Sequence, residues 1–314
     1  MKKNAFLIGL GLFFCPMTVF PQAQPHGSTK LMVVLGVAQD AGYPQAGCSK
    51  PCCKQYWDGK ESRRNATCLG IVDLATKQYW LIEATPDLRG QLQDIGDFLG
   101  HETYSPPEGI LLTHAHIGHY TGLIQLGREV MGAQKIPVYA MPRMAEFLTN
   151  NGPWSQLVSA GNIVLRGLQA DSVVKLADGL SIQPVLVPHR DEYSETVGYR
   201  IIGNNKTILF IPDIDKWEKW VKDLVAELKE VDLALIDGTF YDDQELPGRD
   251  MSEIPHPFIV ETTEMLGTLD SLERSKVKFI HFNHTNPILR ETEQKEKLLE
   301  KGFKVAEEGE IINL

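Results

Sequence analysis

The chain has 314 residues, 43% hydrophobic and 23% charged, an ordinary globular composition with length enough for one large core. Its formal charge is −10, from 31 basic and 41 acidic residues. So acidic a body argues against nucleic acid as a general partner, because phosphate binding needs a basic footprint.

At the start, Lys2 and Lys3 precede an apolar run from Ala5 to Phe20, followed by small and polar residues around Ala23. This is the order of a secretory signal peptide. The run is short and broken by Pro16, whereas a membrane span needs about 20 apolar residues. Residues 1–23 are therefore read as a removable signal and 24–314 as a single domain. The expected location is periplasmic or secreted, with no stable membrane insertion after signal removal. Loss of Lys2 and Lys3 leaves 29 basic against 41 acidic residues, a charge of −12.

Four cysteines then remain: Cys48, Cys52, Cys53 and Cys68. In an exported chain they could form two disulfides, but the adjacent Cys52 and Cys53 equally suit a soft-metal site. Downstream, short apolar runs alternate with helical patterns. Strands are predicted over Leu31–Val37, Tyr79–Ile82, Ile110–Thr113, Ile136–Tyr139, Ile182–Val187, Thr207–Ile211, Leu233–Ile236 and Val277–Ile280. Helices are predicted over Asp87–Leu99, over Asp215–Val231 with Trp217, Trp220, Val221, Leu224, Val225 and Leu228 on one face, and over Glu291–Lys301. Mixed strands and helices over this length indicate an α/β layered domain.

Three of the nine histidines, His114, His116 and His119, fall within six residues directly after a predicted strand. Residues i and i+2 at a strand end point the same way, so His114 and His116 can share an ion. His119 opens a predicted helix carrying Tyr120, Leu123, Leu126 and Val130 and projects back beside them. Imidazoles suit zinc, iron, manganese or nickel, and three of them leave room for water. His189, Asp213 and His281 each follow a strand of their own, so all of these groups are expected on one rim. Asp237, also at a strand end, reads as a cap or turn residue. Tyr43, Trp154 and Tyr193 are candidate rim aromatics, with core or surface packing an equal reading for each.

A His-x-His-x-x-His run after a strand, with later His, Asp and His at further strand ends, resembles the metallo-β-lactamase superfamily. The resemblance runs from about Leu31 to Leu314 and implies a four-layer αββα sandwich. Gly42-Tyr43-Pro44-Gln45, Gly47-Cys48, Thr85-Pro86-Asp87, Val187-Pro188-His189, Thr196-Val197-Gly198-Tyr199 and Thr285-Asn286-Pro287-Ile288-Leu289 are similar to the pyrroloquinoline-quinone biosynthesis B family. The histidines instead resemble the phosphoribosyl cyclic phosphodiesterase branch. The resemblance implies His114, His116 and His189 as ligands of a first metal, Asp213 as a bridge, and His119 with His281 at a second. The divalent ions expected are Zn2+, Mn2+ or Fe2+, one or two in number. Gly118 departs from the pattern, which has an aspartate ligand there, and so weakens the second site. The resemblance also implies a structural Zn2+ on Cys48, Cys52, Cys53 and His284, although the relatives space their cysteines as Cys-x-Cys-x-x-Cys. It implies, further, a general-acid role for His256.

The activity so implied is hydrolysis of a phosphodiester, lactone or other ester of a small-molecule substrate by metal-activated water, with Asp213 holding the nucleophile. Two alternatives stand beside it. One is a metal-dependent oxygenase or hydrolase of quinone-cofactor biosynthesis acting on a Glu-Tyr-derived precursor. The other is a non-catalytic metal-binding relative.

Overall fold

A computed structural model describes residues 29–314. The segment read as a signal, residues 1–23, lies outside the described residues. Six strands, β1 (Lys30–Gly36), β2 (Cys68–Asp73), β3 (Gln78–Ile82), β4 (Gly109–Leu111), β5 (Ile136–Ala140) and β6 (Ile163–Gly167), follow one another across a first sheet. A second sheet holds β7 (Val174–Ala177), β8 (Leu180–Leu186), β9 (Val197–Ile202), β10 (Thr207–Ile211), β11 (Leu233–Asp237), β12 (Val277–Ile280) and β13 (Lys304–Val305), again in chain order. Finally β14 (Ile311–Asn313) returns to the edge of the first sheet beside β1.

Among the described residues the α-helices are α1 (Pro51–Trp57), α2 (Leu88–Leu99), α3 (Ile117–Tyr120), α4 (Pro142–Asn150), α5 (Trp154–Ser159), α6 (Leu224–Lys229), α7 (Ile259–Met265), α8 (Ser271–Ser275) and α9 (Thr292–Glu300). Strand β1 shows why the layers form. Every residue in it is buried, and the side chains alternate between faces. Met32 and Val34 enter the core shared with the second sheet, while Leu31, Val33 and Leu35 enter a core with Leu88, Leu92, Ile95, Met144, Leu148 and Leu157 of α2, α4 and α5. On the far side, Leu224, Leu228, Ile259 and Leu298 bring α6, α7 and α9 onto the second sheet. The result is the αββα sandwich. Among the described residues, no helix is long and apolar enough to cross a membrane.

Pairing directions position the site. In the first sheet β1, β3 and β4 run parallel to one another, because β1 and β3 are each antiparallel to β2 and β3 is parallel to β4. In the second, β8, β10, β11 and β12 likewise share one direction. The loops after these strands carry Asp40, Glu83, His114, His189, Asp213 and His281, while Asp237 ends β11 itself.

All eight predicted strands are present, with boundaries shifted by at most two residues. The predicted helix Asp215–Val231 is a misreading. A single 3-10 turn at Trp217–Lys219 is followed by extended backbone at Trp220, and α6 begins afresh after Asp223, whose side chain accepts from Val225 N. The two indoles impose the break: Trp217 Nε1 donates to Thr262 Oγ1 and Trp220 Nε1 to the Leu186 carbonyl, anchors that one continuous helix does not supply. Val221, expected on the apolar face, is 95% exposed. The helix predicted after His119 is likewise cut to α3 and a 3-10 segment, because the His119 carbonyl accepts from Ala84 N rather than continuing a helix, and Gly122 N donates to Ala84 O. In urea denaturation, Val221→Asp is expected within about 0.5 kcal/mol of the parent chain, whereas Trp217→Ala costs about 3–5 kcal/mol. A large cost at Val221 would restore the continuous helix.

Candidate metal centre

Asp213 follows Pro212 at the end of β10, is almost wholly buried, and lies at the centre of a group of imidazoles. Its Oδ2 is 3.3 Å from His114 Nε2, 3.8 Å from His119 Nε2 and 4.0 Å from His116 Nδ1. Its Oδ1 is 3.2 Å from both His189 Nε2 and His256 Nδ1. His114 Nε2, His116 Nδ1 and His189 Nε2 also approach one another, at 2.9 Å and 3.3 Å. His114, His116, His189 and Asp213 thus offer four ligand atoms within 4.8 Å. Asp40, His119 and His281 offer three more in a second group, and Asp213, Asp237 and His256 form a third.

The other ring nitrogens are tied from behind. His114 Nδ1 meets Thr113 Oγ1 at 2.9 Å, His119 Nδ1 meets Glu83 Oε1 at 3.1 Å, His189 Nδ1 meets Asp215 Oδ1 at 3.2 Å, and His281 Nδ1 meets Thr239 Oγ1 at 3.0 Å. An oxygen behind Nδ1 fixes the tautomer and leaves Nε2 as a lone-pair donor, as in metal-ligating histidines. His119 Nε2, His281 Nε2, Asp213 Oδ1 and Asp40 Oδ1 are buried and make no well-directed hydrogen bond, although Asp213 Oδ1 and Asp40 Oδ1 each stand within 3.3 Å of an imidazole nitrogen. Buried polar atoms are nearly always paired, so this donor set suits a cation.

The electrostatics follow from charge packed into little space. Burial alone would raise the Asp213 carboxyl, but His189 and His256 hold it well below the usual carboxylate range. Burial disfavours charge on His189, yet Asp213 and Asp215 carry it up to about 10. His281 is pushed down to about 4, chiefly by burial. His256 is raised against burial by Asp237 and Asp213.

Every predicted residue of the centre is here, and four others join it that sequence reasoning missed or undervalued. Asp40, Glu83 and Asp215 were passed over. Asp237, read as a turn residue, does accept from Thr239 N, but its Oδ2 also holds His256 Nδ1 at 2.9 Å. The signal was available, since Asp40, Glu83 and Asp237 are polar residues at the ends of the same parallel strands. Tyr43 is not a rim aromatic: it is buried, with its hydroxyl on the Cys52 carbonyl and Glu61. Trp154 and Tyr193 pack on Phe147.

The cysteine cluster lies apart from the histidines. Cys48, Cys52, Cys53 and His284 offer ligand atoms within 4.8 Å, with Cys48 and Cys52 sulfurs 3.8 Å apart. Helix α1 supplies the adjacent pair, and His284 Nδ1 sits on Asn283 Oδ1, leaving Nε2 free to ligate. Burial is the main influence pushing the Cys53 thiol up to about 12. Cys68 belongs to the core of the first sheet, and all four described cysteines are free rather than disulfide-bonded.

Two layered sheets with a histidine and aspartate centre at their shared rim define the metallo-β-lactamase fold. Residues 79–282 match the Beta-lactamase superfamily domain, and the chain belongs to that family. Among individual relatives it is similar to coenzyme PQQ synthesis protein B of Methylorubrum extorquens, with 28% identity over 90% of this chain and 99% of that protein. The protein of the same description from Methylobacillus flagellatus is 29% identical over 88% and 97%. Of solved structures, zinc-bound PqqB from Methylobacterium extorquens superposes with a TM-score of 0.75 at 23% identity, covering 90% of this chain and all of that one. A diphosphatase of the PhnP family gives 0.62 at 19% identity, over 90% and 96%.

With chelator present, His189 provides a test of the charge arrangement. Its folded value near 10 exceeds the unfolded value of about 6.5, so its stabilising contribution is complete below about 6.5 and is lost as pH rises through about 10. Denaturant titrations across this range should show a downward slope that His189→Gln flattens. Equal slopes in the two proteins would refute the pairing with Asp213.

Proposed function

We propose that the chain is a metal-dependent hydrolase acting on a phosphodiester, lactone or other ester of a small anionic molecule. The observation that carries this reading is the set of imidazoles whose outer nitrogens are tied to oxygen, with the inner nitrogens of His114, His119 and His189 meeting around buried Asp213 and that of His281 beside His119 and Asp40. His114, His116, His189 and Asp213 would hold a first divalent ion, and His119 and His281 would serve a second that Asp213 also faces. Bound there, such an ion supplies Lewis acidity and brings the pKa of water towards about 7. Cys48, Cys52, Cys53 and His284 would hold a structural zinc, their donors matching the closed tetrahedral preference of that ion.

The chain's own groups then have definite tasks. Asp213 is buried and ionised, so it can orient the attacking water through an accepted hydrogen bond. His256 is delivered by a loop whose Phe240, Met251, Ile254 and Phe258 form a small apolar cluster of their own. Asp237 fixes its Nδ1 and favours its charged form, which fits it to donate a proton to the leaving oxygen. A cleft of about 580 Å³ opens beside Asp40 and Ile117 and is lined by Lys50 and Arg249. Those two cations favour an anionic substrate despite the acidity of the chain as a whole.

Full-length similarity to coenzyme PQQ synthesis protein B supports a second reading, a step in quinone-cofactor synthesis. Iron-dependent oxygen uptake with a tyrosine-containing peptide, without hydrolysis of any ester, would put that reading first. The residues read as a signal favour the hydrolase, working in the periplasm or outside the cell.

Elemental analysis tests the metal assignment. His116→Ala should lose metal from the histidine centre and keep one zinc per chain, while Cys53→Ser should lose that zinc and keep the centre. Retention of every ion by His116→Ala, together with inactivity of the parent chain on an ester and phosphodiester panel, would overturn the hydrolase. His256→Ala should lower kcat by about 10²–10⁴-fold with metal content unchanged. An unaltered kcat would remove His256 from the reaction.

A further inference from the structure

We propose that Asp40 supplies, from the loop after β1, the second-metal carboxylate that Gly118 lacks, so that Asp40, His119, His281 and Asp213 form a complete second site. The proposal rests on the histidine centre binding metal, as argued above. Asp40 Oδ1 lies 3.3 Å from His119 Nε2, and the ligand atoms of Asp40, His119 and His281 are all within 4.8 Å of one another. All three of Asp40 Oδ1, His119 Nε2 and His281 Nε2 are buried and make no well-directed hydrogen bond. A cation among them satisfies all three at once, whereas a proton shared between His119 Nε2 and Asp40 Oδ1 would leave His281 Nε2 unmet, because that ring already uses its Nδ1 proton on Thr239.

Asp40 is held in this place by the backbone. Gln39 N donates to the Phe282 carbonyl and Phe282 N to the Val37 carbonyl, which stitches the loop alongside His281. Asp40 itself adopts φ +27°, a conformation that L-residues seldom take. Strain of that kind persists where surrounding structure enforces it, and it concentrates at functional sites.

Gly118 is the other half of the arrangement. A Cβ at position 118 would stand 2.2 Å from Asp40 Cα and 2.4 Å from its Oδ1. The first of these contacts is with backbone, which no rotamer change relieves. A side chain at 118 and a carboxylate at 40 in this position therefore exclude each other. The glycine does not mark a lost ligand; it clears the space through which the replacement arrives.

Equilibrium dialysis against zinc with elemental analysis, and electron paramagnetic resonance of the manganese-loaded protein, test this without an activity assay. Wild type should bind two ions at the histidine centre besides that of the cysteine cluster, and show spin coupling between two manganese ions. Asp40→Ala and the similarly sized Asp40→Asn should keep the first ion, weaken the second by more than about 10-fold, the least that even an outer partner's loss costs, and abolish the coupling. Gly118→Ala should do the same by displacing the Asp40 backbone, although it removes no ligand. Thermal melts of the loaded variants establish that they are folded. Two tightly held, coupled ions in folded Asp40→Asn would overturn the proposal while leaving the hydrolase reading intact. A wild-type centre holding one ion would do likewise, whereas a centre holding none would overturn both.

Discussion

Asp213 is the constraint on which the rest of the centre depends. A carboxylate taken out of water without partners carries a large desolvation cost, and its usual escape is to take up a proton. Here five imidazoles surround it, and the ionised form is favoured despite complete burial. Burial first, and then the charge on His119, hold His114 well below its ordinary value, while carboxylates hold two others above theirs against burial, Asp213 and Asp215 for His189 and Glu83 and Asp40 for His119. A cluster balanced in this way is ready to exchange protons for a cation, because metal binding requires neutral imidazoles and an ionised carboxylate.

What brings these groups together is strand direction. Parallel strands put their carboxyl ends on one side, and two such sheets stacked face to face deliver their following loops to a shared rim. Residues as distant in the chain as Asp40 and His281 therefore meet at neighbouring strand ends. The cost in backbone geometry is local. Of the six described non-glycine residues with positive φ, Asp40, Glu83 and His281 belong to the centre. Strain of about 1–3 kcal/mol at each is sustained by the ladders on either side and by the hydrogen bonds that tie Glu83 to Thr113 and His281 to Thr239.

Much of this was legible in the chain. His114, His116 and His119 announce themselves by density, and His189, Asp213 and His281 by following apolar runs that read as strands. Cys48, Cys52 and Cys53 with His284 came from resemblance, and the fold brings them together although their spacing departs from the relatives'. Other features were hidden for physical reasons. Amphipathic spacing at Trp217–Leu228 is compatible with one helix, and only the hydrogen-bond demands of two buried indoles, met by Thr262 and Leu186, exclude it. Glu83 and Asp215 never touch the central cavity as ligands do; they act behind His119 and His189, and a partner behind a ring has no fixed sequence separation from it.

Asp40 was hidden for a different reason. A motif assigns ligands by position along one strand end, so a glycine at its fifth place reads as a deletion. Coordination is decided by where oxygen and nitrogen atoms stand in space, and a carboxylate reaching that space from another loop has the same charge and the same donor chemistry. The requirement it imposes is steric and falls on position 118, where even a methyl group would meet the Asp40 backbone. Gly118 and Asp40 are thus one structural feature divided between two distant segments of the chain, and neither residue has a functional meaning when read alone.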